Sequence, residues 1–288
     1  MSATVIEIEP ARARTASRWS RLWAYPSLTL GVGLFIVVLL AFFVVPLFLT
    51  YGPDSLDLTS ILQPPFSAHH LLGTDQLGRD ELTRLLYAGR TDLKVGVLAV
   101  IFPFCFGTTV GTLAGFYGGK LDWIVMRIVD VLVAFPFYVL VIGLVFVVGP
   151  GTRGIYIAFG IADWVVYART VRSTTLVVRE AEYVAAARVG GLSDLRILIR
   201  HVLPNTITQA IVYSMTDIVL VIVAVVVLGY LGLGVQLPTP DWGTMINDGQ
   251  DFITSNWELS TLPGIAVALT ALPLSLIGDG LADLLRPR

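Results

Sequence analysis

Long apolar runs separated by short polar stretches dominate the chain. A bilayer core takes about 20 mostly apolar residues per helix, and six runs approach or reach that length. The first, residues 28–49, and the second, residues 95–116, carry no charge. The third, residues 123–148, has Arg127 and Asp130 in its first turns. The fourth, residues 155–176, is weaker and contains Asp163, Arg169 and Arg172. The fifth, residues 207–233, is the strongest and encloses Asp217, and the sixth, residues 262–281, has Asp279 near its end. Pro103, Pro136 and Pro273 fall inside runs and are candidate kinks. The pattern predicts an all-α, polytopic membrane protein with six transmembrane helices and both termini on one side.

Composition agrees. Mean hydropathy is +0.79, and charged residues make up 14% of the chain, against about 25% in a soluble domain. A single water-soluble core cannot hide that much apolar surface, so lipid must cover part of it. The net charge of −2 gives no reason to expect nucleic acid. Basic residues set the orientation. With a cytoplasmic N-terminus, Arg12, Arg14, Arg18, Arg21, Lys120, Arg127, Arg169, Arg172, Arg179, Arg188, Arg196, Arg200, Arg286 and Arg288 lie inside. Arg79, Arg84, Arg90, Lys94 and Arg153 lie outside, fourteen against five. Both termini are therefore expected in the cytoplasm. The first 25 residues are polar, and the run that follows is too long for a signal core and ends in Val45-Pro46-Leu47. It reads as a retained span.

An ionisable group inside a span costs roughly 2.5–3.5 kcal/mol on insertion scales and normally faces protein or water. Asp217 and then Asp163 are the candidates for lining a path. A structural interhelical hydrogen bond is an equal alternative for Asp217. Asp130 is expected to pair with Arg127, three residues away. An ion-coupled secondary transporter using Asp217 or Asp163 is the alternative function, although the chain shows no internal repeat of the kind such carriers use. Enzyme chemistry finds no footing. There is no zincin pair, no nucleophile elbow, and His69-His70 lacks a third ligand at chelating spacing. Cys105, the only cysteine, is expected to be a small buried residue. A phosphate-cradling loop needs Gly, four residues, Gly-Lys and then Ser or Thr. The nearest stretch, residues 115–120, has Ala114 before it and Leu121 after Lys120.

Three polar segments remain: external residues 51–90 and 236–260, and cytoplasmic residues 179–205. The last reads REAEYVAAARVGGLSDLRILIRHVLPN. Early acidic residues suit a helix N-terminus, and Gly190-Gly191 should end that helix. Ser193 offers an N-cap for a second helix over residues 194–201, which Pro204 should break before the fifth span. Ala185-Ala186-Ala187 presents a nearly bare backbone that allows close approach of another protein, and flanking arginines can pair across an interface.

This segment resembles the coupling loop of ABC-importer permeases, in which Glu-Ala-Ala is followed by three residues, Gly, and a stretch ending in Leu-Pro. The corresponding residues are Ala185-Ala186-Ala187, Gly191 and Leu203-Pro204, with Ala185 in place of the family's glutamate. A second stretch, HLLGTDQLGRD over residues 70–80, continues into Arg84-Leu85-Leu86-Tyr87 and Gly89-Arg90. It is similar to the segment before the second span of dipeptide, oligopeptide and nickel importer permeases. Met126-Arg127-Ile128-Val129-Asp130 with Pro136, and Tyr167-Ala168-Arg169 with Arg172, resemble that family's third and fourth spans.

The resemblance implies a type I ABC-importer permease in a bacterial inner membrane, and peptides are its broadest substrate class. Residues 1–26 would form a cytoplasmic tail, 27–90 the first helix and external segment, and 91–288 a five-helix core with the coupling helix at 180–204. Implied partners are a second homologous permease, two ATP-binding subunits, an extracytoplasmic binding protein and the bilayer. No cofactor would sit in this chain, and ATP and Mg would belong to the partners. Coupling residues would be Glu182, Ala185, Ala186, Ala187, Arg188, Gly191, Asp194, Arg196, Leu203 and Pro204. External docking would fall to Asp241, Trp242 and Asp248. ATP-driven closure would move residues 182–201 as a rigid piece and tilt the fourth and fifth spans.

Overall fold

The computed structural model describes residues 25–67 and 69–285. The tail reading for residues 1–24, and the inner charges Arg286 and Arg288, lie outside the described residues. Among these residues the chain is helical, and its only β pairing is two isolated bridges in the external segment.

Helix α1, Pro26–Phe43, starts on a proline at its first position, where no backbone N–H is needed. A 3₁₀ turn, Val45–Phe48, follows. Helix α2, Glu81–Tyr117, begins well before the second apolar run. Asp80 caps it, accepting from the Thr83 N–H at 2.8 Å and the Thr83 hydroxyl at 2.7 Å. The polar first half persists because protein, not lipid, covers it: Glu81, Thr83, Arg84 and Asp92 are all buried. Pro103 lies inside α2 without ending it.

The third run is two helices, α3 Gly119–Val133 and α4 Phe137–Val148, bent by 89°. Pro136 stands at the break with extended backbone, since a proline supplies no N–H and disfavours helix in the residue before it. The fourth run is also two helices, α5 Thr152–Ala162 and α6 Trp164–Val178, meeting at Asp163. Then come α7 Glu182–Val189, α8 Asp194–Ile197, a π-helical turn Leu198–Val202, and α9 Leu203–Tyr230. Helix α10, Trp242–Gly249, is short and buried on one face, and α11, Glu258–Leu285, closes the chain. Among the described residues four helices are long and apolar enough to cross a membrane, or five if bent α3–α4 counts as one span. The charged α5–α6 pair is not among them.

Small residues hold the core together. Gly107, Gly111 and Gly115 form one stripe of α2 pressed on α6. A Cβ at Gly111 would sit 2.4 Å from the Ala168 carbonyl, and one at Gly107 would sit 2.4 Å from the Trp164 carbonyl. Without a side chain the two backbones can touch, as membrane helices often arrange. Helix α1 lies on α11 in the same way, with Gly280 against the backbone of Leu28 and Gly31 against Ile277.

Two sequence expectations are corrected here. Asp130 does not pair with Arg127. It faces Arg169 of α6 at 3.5 Å, while Arg127 lies over the exposed Trp123 ring, 5.5 Å from its centre. Each basic group takes the partner its helix face presents, and both members of the Asp130–Arg169 pair are more than half exposed. Cys105 is exposed rather than buried, because it sits on the side of α2 opposite the Gly107–Gly111 stripe.

Candidate functional site

The segment after α6 is a helix, a tight turn and a second helix. Helix α7 ends in a Schellman motif: Leu192 N–H reaches the Ala187 carbonyl at 3.2 Å and Gly191 N–H reaches that of Arg188 at 3.0 Å. Gly191 supplies the left-handed backbone, with φ of 78°. Ser193 has the extended backbone of an N-cap, and its carbonyl accepts from Ile197, but its side chain makes no capping bond.

Pro204 does not break the chain. It sits in the first turn of α9, and residues Asp194–Tyr230 run as one 37-residue helix. The π turn Leu198–Val202 widens the helix just ahead of the ring, and the Asn205 side-chain amide satisfies the His201 carbonyl at 2.7 Å. Rerouting the backbone bonds absorbs the missing N–H. The second short helix is therefore the N-terminal end of α9 itself.

Apolar packing fixes the segment to the C-terminal end of α2. Val184, Ala187, Ile197, Leu198 and Val202 form one buried cluster with Phe116. The Arg188 guanidinium lies over the Phe116 ring, and Arg179 donates to the Gly115 carbonyl at 2.8 Å. Nearby, Arg172 of α6 pairs with Asp122 of α3 through two hydrogen bonds. The opposite face is bare. Glu182, Ala185, Ala186, Arg188, Gly191, Asp194, Arg196 and Pro204 are exposed, whereas Ala187 is buried and Leu203 half-buried. Val189 is 91% exposed and Leu195 61%. Glu182, Arg188, Asp194 and Arg196 make no ion pair among the described residues. Exposed aliphatic groups among unpaired charges at the end of a rigid helix form a surface suited to another protein.

Deeper in the helices, Asp217 of α9 and Asp163 at the α5–α6 break come together, only 2% and 3% exposed. Asp217 accepts from the Tyr167 hydroxyl at 2.7 Å and the Tyr213 hydroxyl at 3.4 Å. Both carboxyls border a cavity of about 320 Å³. The sequence points to both carboxylates and to Tyr167 only as part of a motif, and gives no sign of Tyr213 or of the convergence.

The external candidates divide. Trp242 and Asp241 are fully buried, so their side chains are not a docking surface on this chain. Trp242 donates its backbone N–H to Asp92 at 2.9 Å and its indole N–H to the Leu85 carbonyl at 3.1 Å. Asp241 caps α10 through the Thr244 N–H and hydroxyl. Burial holds the Asp241 carboxyl above its ordinary range, against the opposing pull of the Thr244 and Gly243 hydrogen bonds and the Arg84 charge. Asp248 remains partly exposed and faces Arg79 at 3.6 Å and Arg84 at 4.0 Å. Burial pushes its carboxyl up, and the two arginines pull against that. The HLLGTDQLGRD stretch is thus an internal clamp. Asp75 holds Arg79 at 2.6 Å and Arg84 at 3.5 Å, and His70 meets Asp80 at 2.9 Å. Asp92, which accepts from the Trp242 N–H, is fully buried at this junction.

Residues 107–288 match the family described as the binding-protein-dependent transport system inner membrane component. The dipeptide transport system permease protein DppC of Alkalihalophilus pseudofirmus is 39% identical over 260 residues, covering 89% of this chain and 85% of that protein. DppC of Bacillus subtilis is 36% identical over 280 residues, 97% of this chain and 87% of its own. The glutathione transport system permease protein GsiD of Pectobacterium atrosepticum is 36% identical over 293 residues, all of this chain and 96% of its own. The chain belongs to the family of inner-membrane components of binding-protein-dependent transport systems, a transport subunit rather than an enzyme.

Proposed function

We propose that this chain is one membrane half of an ATP-driven peptide importer. A second homologous permease would complete the path, two ATP-binding subunits would supply ATP and Mg, and an extracytoplasmic binding protein would deliver substrate. The observation that carries this reading is the bare face of residues 182–204, seated on the end of α2 and continuous with α9. A partner that moves this segment moves a 37-residue helix. Glu182, Ala185, Ala186, Arg188, Gly191, Asp194, Arg196 and Pro204 form the contact, with Ala187 and Leu203 anchoring it behind. Ala185, small where the family carries a glutamate, leaves the ionic part of the contact to Glu182, Asp194 and the arginines.

Six spans with both ends inside fit the packing of α1 on α11, which sets Leu28 beside Gly280. The fourth and third spans are broken helices in this reading. Residues 27–90 form the first helix and external segment, and 91–288 the five-helix core. Asp163 and Asp217 line the path. Peptides are the substrate class because dipeptide permeases are among the relatives. An ion-driven carrier has no counterpart among those relatives.

The test is reconstitution of the chain with its second permease, ATP-binding subunits and binding protein in proteoliposomes. ATP-dependent uptake of a labelled dipeptide is expected. Uptake that persists without ATP and follows an imposed ion gradient would overturn the proposal.

A further inference from the structure

The breaks in two helices converge on one place. Phe137 and Tyr138 open α4 just past the Pro136 bend, Asp163 joins α5 to α6, and Tyr213 and Asp217 come from α9. All five border the 320 Å³ cavity. The two carboxyls lie within hydrogen-bonding reach of each other. Asp217 is held by Tyr167 and Tyr213. Asp163, although only 3% exposed, has no N–H or O–H donor on its Oδ2 among the described residues. Among the described residues no lysine, arginine or histidine borders the cavity.

Two buried carboxyls in contact cannot both carry a full charge without a cation between them. A structural pair would satisfy its oxygens internally, as buried polar groups do. Here one buried carboxylate oxygen has no donor, beside a cavity walled by two phenols and a phenylalanine ring. Aromatic faces and a carboxylate are the groups that attract a compact organic cation.

We infer that the Asp163–Asp217 pair is a one-charge site that holds a shared proton when empty and takes a primary ammonium group, the amino terminus of a peptide, in its place. The inference rests on the path-lining reading above and adds the chemistry recognised there. Charge balances: the incoming ammonium brings one positive charge, and the shared proton leaves to water in the path. Tyr167 and Tyr213 hold Asp217 in position, which leaves Asp163 to meet the ligand.

The experiment uses the whole transporter with its binding protein and Gly-Gly as the probe. Infrared difference spectra of the vanadate-trapped complex are compared with loaded and with unloaded binding protein. The carbonyl band of a protonated carboxylic acid should be present with unloaded binding protein, vanish with Gly-Gly, and be missing from Asp163→Asn and Asp217→Asn. In proteoliposomes both variants should lose about tenfold or more in uptake per ATP hydrolysed, the scale of one charge-assisted hydrogen bond. Asp163→Glu should recover most of it. Stimulation of ATP hydrolysis by the binding protein reports assembly separately and should survive in all three. A band that Gly-Gly does not move, or Asn variants that transport at the unaltered rate, would overturn the ammonium site while leaving the importer reading standing. Absence of ATP-dependent uptake in the unaltered complex would instead overturn the importer reading.

Discussion

Gly190 and Gly191 are adjacent, exposed and chemically identical, yet only one of them shapes the turn that follows α7. Gly190 has φ of −69°, and a Cβ there would meet the Ala186 carbonyl at 3.4 Å and that of Ala187 at 3.5 Å, ordinary contact. Alanine at 190 should be neutral or stabilising by about 0.4–1 kcal/mol, because it restrains the unfolded chain. Gly191 has φ of +78° and nothing within 4 Å of a Cβ. Alanine there meets no neighbour, so its whole cost is the left-handed backbone, about 1–2 kcal/mol. The two substitutions should differ by roughly 1.5–3 kcal/mol, or about 10- to 100-fold in an equilibrium that needs the turn formed. The assay is the affinity of the permease pair, held in nanodiscs, for its ATP-binding subunits by biolayer interferometry. Gly190→Ala should bind as well as or more tightly than the unaltered protein, Gly191→Ala should bind more weakly than Gly190→Ala by that factor, and Gly191→Asn should fall between them, since Asn tolerates this backbone. Equal affinities for the two alanine variants would refute the claim that the Schellman turn presents the docking face.

Other consequences follow from the packing. Gly111→Val should prevent α2 and α6 from meeting and abolish folded protein by size-exclusion chromatography. Gly143→Ala, with open space around it, should leave the profile unchanged. Trp242→Phe keeps the ring but loses the indole bond to Leu85, and should lower the thermal midpoint by an amount corresponding to about 1 kcal/mol. Trp242→Ala should cost about 3–5 kcal/mol by emptying the same space. Burial raises the Asp241 carboxyl, so the folded protein binds more protons there than the unfolded one. Stability from this group is therefore present at low pH and lost as pH rises from the ordinary carboxylate value through the raised one. Asp241→Asn, which still caps α10, should flatten that slope in thermal melts taken across the acidic range. An unchanged slope would refute the assignment.

The apolar runs made most of the helices legible, because length and hydropathy are local properties. What they hid was local polarity with a distant partner. Helix α2 extends back to Glu81 because α10 and the external clamp cover its charged turns, and no window of sequence shows that cover. The third and fourth runs looked continuous, although Pro136 marked one break in advance. Asp163 marked the other only as an unwelcome charge. Pro204 misled, because the rule that proline ends a helix assumes the α ladder upstream, and a π turn with Asn205 replaced it. Asp130 found Arg169 on another helix rather than Arg127 on its own. Composition could nominate Trp242 and Asp241 as exposed external residues, but only packing puts them in the core. The coupling segment was the most legible part of the site, since its caps, glycines and alanines act within a few residues. The meeting of Asp163 with Asp217 and two tyrosines depends on three helices at once.

The central claim is that force enters through the bare face of α7 and the inner end of α9. Val189, 91% exposed at the end of α7, tests it most directly. A photo-crosslinking amino acid at position 189, activated in native membranes, should capture an ATP-binding subunit, and Gly191→Ala should reduce the yield. Capture of lipid or of the second permease alone, with no ATP-binding subunit, would contradict the account.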